Sequence, residues 1–376
     1  MVRNVKIRLL DRDDELGIKK KQIKFPNQND IETPSKSFSA PGTSWKKYPQ
    51  DKKEILDINE VSRRFDEKLI DSLKTSSSVI QKDIVRLYVP NKMNMFIPNL
   101  RIKTKLDKRQ IRYFSNFLYT VSQSAMVFPT VENSFLKESV DGDEDNKVLS
   151  PDRVNLYIQM ITEMADEIET LGNGKAFIGM IPLIPVDYLK DLYKLYRDLG
   201  ITAFIIDAGT KDVLGAKEFE YRMVVSEINS EIVPIDEAFI FASNLGIDMF
   251  DKNITPADDF LSIFAHVDVV GSSFKTKGFS KNPKKTYLPK AKIFSKEDYI
   301  YNISSYADAE TTLKIDKLNR LKLKSYNEKE QMIETNNLSD LIGEVSMDKY
   351  LESKKILRGN NGKLNMLKDL GNIKHK

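Results

Sequence analysis

Residues 176–206 read AFIGMIPLIPVDYLKDLYKLYRDLGITAFII, and their pattern decides the fold class. Ala176–Ile181 is a continuous apolar run, the mark of a strand covered on both faces. Leu189, Leu192, Tyr193, Tyr196 and Leu199 recur at i, i+3 and i+4 spacing, which predicts a helix over 186–199 closed by Gly200. Ile201–Ile206 is a second buried strand. Strand, helix and strand in this order predict two parallel strands joined by a crossover.

The pattern continues in both directions. A helix over 215–231 leads to the strand Ala238–Ala242, a helix over 256–266 and the strand Val267–Val270. Thr255 as N-cap and Pro256 at the first helical position mark the start of that helix. His266 at its end falls beside an apolar face, a structural position. Upstream, Ser150 and Pro151 open a helix whose buried face is Val154, Tyr157, Ile158, Ile161, Ala165 and Ile168. Earlier short strands are expected at Ile84–Val89, Met95–Ile97 and Ala125–Phe128, and Asp141–Asp145 is an acidic loop. No strand is followed by Gly-x-Gly-x-x-Gly, and no Walker lysine loop occurs. The expectation is therefore α/β, with a (β/α)8 TIM-type barrel preferred over a doubly wound sheet.

The ends differ in composition. Residues 1–50 are polar and rich in Pro, Ser and Lys. Such a segment buries too little apolar surface to offset its ordering entropy, so a partly irregular arm outside the core is expected, with Trp45 as its one large apolar group. The expected division is an arm over 1–80, the barrel with a small helical C-terminal part over 81–350, and a basic tail over 351–376.

The chain has 376 residues, 40% hydrophobic and 30% charged, which is globular composition. Its net charge of +4, from 59 basic and 55 acidic residues, gives no global argument for a nucleic-acid partner. Cysteine is absent and only His266 and His375 are histidines, which excludes disulfides, thiolate metal sites and histidine-rich ones. No cofactor motif is present. No apolar run reaches the ~18 residues that span a bilayer, so a soluble cytoplasmic protein with no membrane partner is expected.

Gly246-Ile247-Asp248-Met249-Phe250-Asp251 resembles the nucleophile segment of the tRNA-guanine transglycosylases, a superfamily that includes queuine and archaeosine tRNA-ribosyltransferases and DNA 7-deazaguanine transglycosylases. In that family the segment ends the last barrel strand and its second aspartate attacks the ribose. Here, however, Phe239–Ala242 is the better strand, which places Asp251 in the loop that follows. Aligned by strand and helix order, Val267-Asp268-Val269-Val270-Gly271-Ser272-Ser273 takes the nucleophile strand's place, and Gly271 stands where the attacking aspartate would be. The likeness spans about residues 150–355 and rests on order and spacing more than identity. The family's zinc cysteines are absent, and Asn336-Asn337-Leu338, within Tyr326–Leu341, occupies the place of its zinc histidine. Its second catalytic aspartate segment has no counterpart, and Ile206–Thr210 replaces its base-recognition loop.

The resemblance implies either a zinc-free binding protein or an active divergent enzyme. The binding protein would have a degenerate site and engage tRNA, DNA or a modification-enzyme partner. The enzyme would be a glycosyltransferase exchanging guanine for a 7-deazaguanine, with a relocated carboxylate. Asp207 and Asp251 are the catalytic candidates. Asp207 ends a buried strand, where a carboxylate can serve catalysis or base recognition, or can satisfy loop amides and cap the next helix. Glu132 is a lesser candidate of the same kind. Lys275, Lys277, Lys281, Lys284, Lys285, Lys290 and Lys292 lie in an acid-free stretch interleaved with Phe274, Phe279 and Tyr287, a pattern suited to phosphate contacts and base stacking. The N-terminal arm suits a protein partner or a homo-oligomer.

Overall fold

The computed structural model describes residues 5–13, 15–39, 56–140, 143–172, 174–211, 213–215, 217–246, 253–272, 290–354, 357 and 361–372. In chain order the first elements are β1 (Lys6–Arg12), β2 (Lys19–Lys24), β3 (Ile31–Thr33), β4 (Ser35–Lys36), β5 (Phe38–Ser39) and β6 (Ile58–Asp66). Next come α1 (Glu67–Val85), β7 (Met93–Arg101), α2 (Lys108–Val121), β8 (Ala125–Val127), β9 (Thr130–Val131), β10 (Lys137–Val140) and β11 (Asp143–Leu149). They are followed by α3 (Pro151–Glu169), β12 (Ala176–Pro182), α4 (Lys190–Asp198), β13 (Ala203–Asp207), α5 (Glu218–Glu227) and β14 (Phe239–Ser243). The last are β15 (Ile254–Pro256), α6 (Asp258–Leu261), β16 (Val269–Val270), β17 (Ala291–Ser295), β18 (Ile300–Ser304), α7 (Tyr306–Leu313), α8 (Arg320–Leu341), α9 (Met347–Glu352) and α10 (Asn361–Gly371).

The fold is α/β. Six strands pair in the order β4-β16-β14-β13-β12-β8, all parallel, and four more in the order β5-β6-β7-β9, also parallel. The two sheets run into each other at both ends. Only Ser37 separates β4 from β5, and its amide donates to Val270 O at 3.0 Å. Phe128 and Pro129 separate β8 from β9, and the Phe128 amide donates to Ile178 O at 3.1 Å. The unit over 176–206 folds as its pattern requires: Gly179 pairs with Phe204 in parallel, and Tyr196 of α4 lies against both. A Cβ at Gly179 would sit 2.8 Å from the Tyr196 ring, so glycine is what lets that helix approach.

Residues 5–39, expected to form an arm outside the core, instead contribute Leu16, Ile18, Ile23, Phe25 and Ile31 to the main core. The antiparallel sheet β1-β2-β3 lies over the starts of the parallel strands. Lys21 reaches Ala238 O at 2.6 Å below β14, Gln28 reaches Ser124 below β8, and Thr202 below β13 bonds Val5 O. Phe25 packs edge-on to Phe239. The N-terminal ends of the strands are thus floored, and the C-terminal ends lie on the opposite side.

Three further expectations are corrected. Ile84–Val89 is not a strand: Ile84 belongs to α1, where Ile80 and Ile84 bury together at i, i+4 spacing. Thr255 and Pro256 do not open a helix, because β15 is taken up by pairing with β18, and the helix starts after Ala257. Asp143–Asp145 lies in β11, paired with β10, and not in a loop. Trp45 falls outside the described residues. Among the described residues no helix is long and apolar enough to cross a membrane.

Candidate functional site

Side-chain direction follows from strand alternation. Phe65 packs on Phe114 and Phe117 of α2, with ring centroids 5.1 and 5.7 Å away, so β6 turns its odd-numbered residues to the helices and Glu60, Ser62 and Arg64 to the opposite face. Phe204 points toward α4, so Asp207 also lies on the helix-free face. Ser243 pairs with Asp207 and shares its side.

Asp207 is 4% exposed and sits between the C-terminal ends of β9, β13 and β14. Its Oδ1 accepts from the Gly209 amide and from Asn244 Nδ2, each at 3.0 Å, and its Oδ2 accepts from the Thr130 hydroxyl. These bonds hold three strand ends together around one carboxylate. Asp251, Lys275, Lys277, Lys281, Lys284 and Lys285 lie outside the described residues. Lys290 is exposed just before β17, and Lys292 is half-buried within it, opposite Ile303. Lys292 therefore belongs to the antiparallel sheet β15-β18-β17 and Lys290 leads into it, whereas Asp207 ends a strand of the six-stranded parallel sheet. Glu132 follows β9 and pairs with Arg64 at 3.1 Å and Arg101 at 3.7 Å, at the C-terminal ends of β6 and β7.

Sequence reading missed Glu60. It is fully buried on the helix-free face, and its Oε2 accepts from the Ser37 hydroxyl and the Ser272 amide, both at 2.9 Å. Its Oε1 has no hydrogen-bond partner among the described residues, and the same holds for Asn99 Oδ1 and Ser243 Oγ. Burial raises the Glu60 carboxyl above its ordinary pKa, partly opposed by the Ser272 amide and by Lys36. The one available hint was an acid inside the apolar frame of Ile58 and Val61, whose β6 neighbours give no reason for it.

Lys36, on the helix side of β4, fixes the strand end beneath Glu60. Its ammonium donates to Val270 O at 3.2 Å, Gly271 O at 2.9 Å and Ser272 Oγ at 3.3 Å. Ser272 Oγ in turn bonds Glu328 of α8 at 2.6 Å. Gly271 itself has no space for a side chain. An added Cβ would meet Ala242 O at 2.6 Å and the Phe241 ring at 2.6 Å, while the Gly271 amide is held to that same carbonyl at 2.7 Å. A carboxylate there would have to displace backbone. Gly271→Ala is expected to cost about 1–3 kcal/mol by overpacking, and Gly271→Asp more. Guanidinium midpoints of the two variants check this, and an unchanged midpoint for Gly271→Asp would refute the crowding.

The residues present do not fit the zinc that the resemblance implies. Structural zinc takes thiolates and imidazoles, whereas Tyr326–Leu341 contains neither cysteine nor histidine. Among the described residues no three His, Cys, Asp or Glu side chains gather as a metal-ligand group. Compared with known proteins, the chain matches no family model and no curated relative.

Proposed function

We propose that the parallel strands close into a (β/α)8 barrel of transglycosylase type. On this reading its C-terminal face binds nucleic acid, or a partner enzyme of 7-deazaguanine modification, without a nucleophile of its own. Closure is supported by the continuity of the two parallel sheets: Ser37 alone separates β4 from β5, and Phe128 and Pro129 separate β8 from β9, so one short segment of chain links the six-stranded and four-stranded sheets at each edge.

The observation that carries the binding reading is Gly271: the position aligned with the nucleophile admits no side chain. Ligand binding is favoured by the buried acceptors Glu60 Oε1, Asn99 Oδ1 and Ser243 Oγ. Left alone, each such group costs about 1–3 kcal/mol, and a ligand presenting N–H or O–H groups on that face would offset part of this. The lysines from Lys275 to Lys292 directly follow β16 in the chain and would supply phosphate contacts. A second copy of the chain is a further partner this surface could take. The enzyme reading draws on a different observation, that Asp207 and Glu60 place two buried carboxylates on one face.

The test is incubation with labelled guanine or a 7-deazaguanine together with tRNA or duplex DNA, alongside a binding titration. Retention of the polymer without base incorporation is expected. Its affinity should fall as salt rises, with a slope that lessens when Lys275, Lys277, Lys281, Lys284 and Lys285 are changed to alanine. Base incorporation that Asp207→Ala or Asp251→Ala abolishes would overturn the binding-only reading. Salt-independent or absent retention would remove nucleic acid as the partner.

A further inference from the structure

In the segment where the resemblance places a zinc histidine, this chain buries a lysine from elsewhere. Lys354, just past α9, points its ammonium at 4.3 Å from the centroid of the Tyr299 ring and 4.5 Å from that of Tyr350. It donates to Lys296 O at 2.8 Å and approaches Glu334 of α8 at 3.4 Å. Its side chain is 8% exposed and that of Glu334 is 3% exposed. The same Glu334 oxygen accepts the hydroxyls of Tyr299 at 2.6 Å and Tyr350 at 2.8 Å. One cation, one carboxylate and two aromatic rings thus join three pieces of chain: the β17–β18 turn, α8 and α9.

We propose that the Lys354 ammonium is a built-in structural cation, caged by Tyr299, Tyr350 and Glu334, which clamps the β17–β18 hairpin to α8 and α9 with no metal. A ring face attracts a cation more strongly once both are out of water, and here two faces and a carboxylate share one. Elsewhere along α8, Asn327 accepts from the Phe294 amide at 3.0 Å and donates to Lys292 O at 2.7 Å, and Gln331 donates to the Tyr301 hydroxyl at 2.9 Å, so the clamp secures the turn end of a hairpin already tied along β17 and β18. The hairpin's own small cluster of Ala291, Ile293, Ala309, Leu318 and Leu323 is separate from the main core, while Phe294, Tyr299 and Tyr301 belong to that core. Tyr299 is the hinge of the arrangement. It adopts a left-handed φ of 54°, its amide bonds Ser295 O at 2.9 Å, and its ring packs on Phe260 and Phe264. The clamp therefore fixes the far end of the lysine-bearing stretch, since β17 begins directly after Lys290. Nothing in it depends on what that stretch binds.

The test is native-state hydrogen exchange on the full chain, with thermal unfolding followed in the presence and absence of a chelator. Lys354→Met should raise amide exchange at least about tenfold over residues 291–304 and 347–353, as loss of two cation–π contacts implies, and leave β12, β13 and β14 unchanged. Tyr350→Leu, at a half-exposed position, should give the same local pattern to a smaller extent, and it decides the matter if Lys354→Met does not fold. Chelator should leave the wild-type melting temperature unmoved. A uniform loss of protection, no loss, or a melting temperature that chelator lowers and zinc restores would each overturn the clamp.

Discussion

Lys21→Met is expected to be the most destabilising single change that leaves side-chain volume nearly intact, at ~3–5 kcal/mol. The Lys21 side chain is 1% exposed and its ammonium has three partners: Asp268 at 3.0 Å, Ile235 O at 3.0 Å and Ala238 O at 2.6 Å. Asp268 also accepts from the Ile240 amide at 2.8 Å. A single cation from the N-terminal sheet thereby satisfies the loop that enters β14 and the residue before β16. Methionine would fill the space and leave Asp268 buried beside two unpaired carbonyls, where the uncompensated charge accounts for most of the loss. The double variant Lys21→Met/Asp268→Leu removes that charge and should recover much of it, because a buried pair replaced whole is often near neutral. Urea unfolding of the two variants measures both quantities. A single-variant cost under ~1 kcal/mol would show that the pair contributes little to the floor.

The same pair explains what could be read in the sequence and what could not. Residues 151–206 were legible because each element declares itself locally, by the Ser150–Pro151 start, a 3.6-residue apolar face and runs buried on both sides. The strand β2 reads KKKQIK, and its buried residues are Lys19, Lys21 and Ile23. Lysines look solvated until Asp236 and Asp268, more than two hundred residues away, are known to face them. Ile84–Val89 misled for the converse reason: β-branched composition favours a strand, but the tertiary face of α1 took Ile84. At the candidate site, the end of a buried strand was enough to single out Asp207. Glu60 was invisible because its partners come from distant pieces of chain, Ser37 from the join of β4 and β5 and Ser272 from just past β16. Gly271 was legible as a residue, but only its distances to Ala242 and Phe241 show that no side chain can replace it.

Acid should weaken the fold through His266, by on the order of 4 kcal/mol between pH 7 and pH 3.5. This histidine is 5% exposed, and burial first, then the charges of Lys19 and Lys21, push its pKa down to about 3, with the Leu370 backbone and then Asp236 pulling the other way. The imidazole is therefore neutral in the fold and free to take a proton once unfolded, so its contribution is fully present above about pH 6.5 and is lost as pH falls toward 3. Glu60, Asp259 and Asp268 act in the opposite sense: burial raises their carboxyl groups, so each favours the fold at lower pH and loses that contribution as pH rises. Only a difference measurement isolates the histidine. His266 holds a left-handed φ of 64°, which asparagine tolerates better than most residues, so His266→Asn removes the titration with least backbone strain. The stability of the variant relative to wild type should improve steadily as pH is lowered from 6.5 to 3.5. A difference that stays flat over that range would mean that the buried ring does not remain neutral, and that the floor admits a proton beside two lysines.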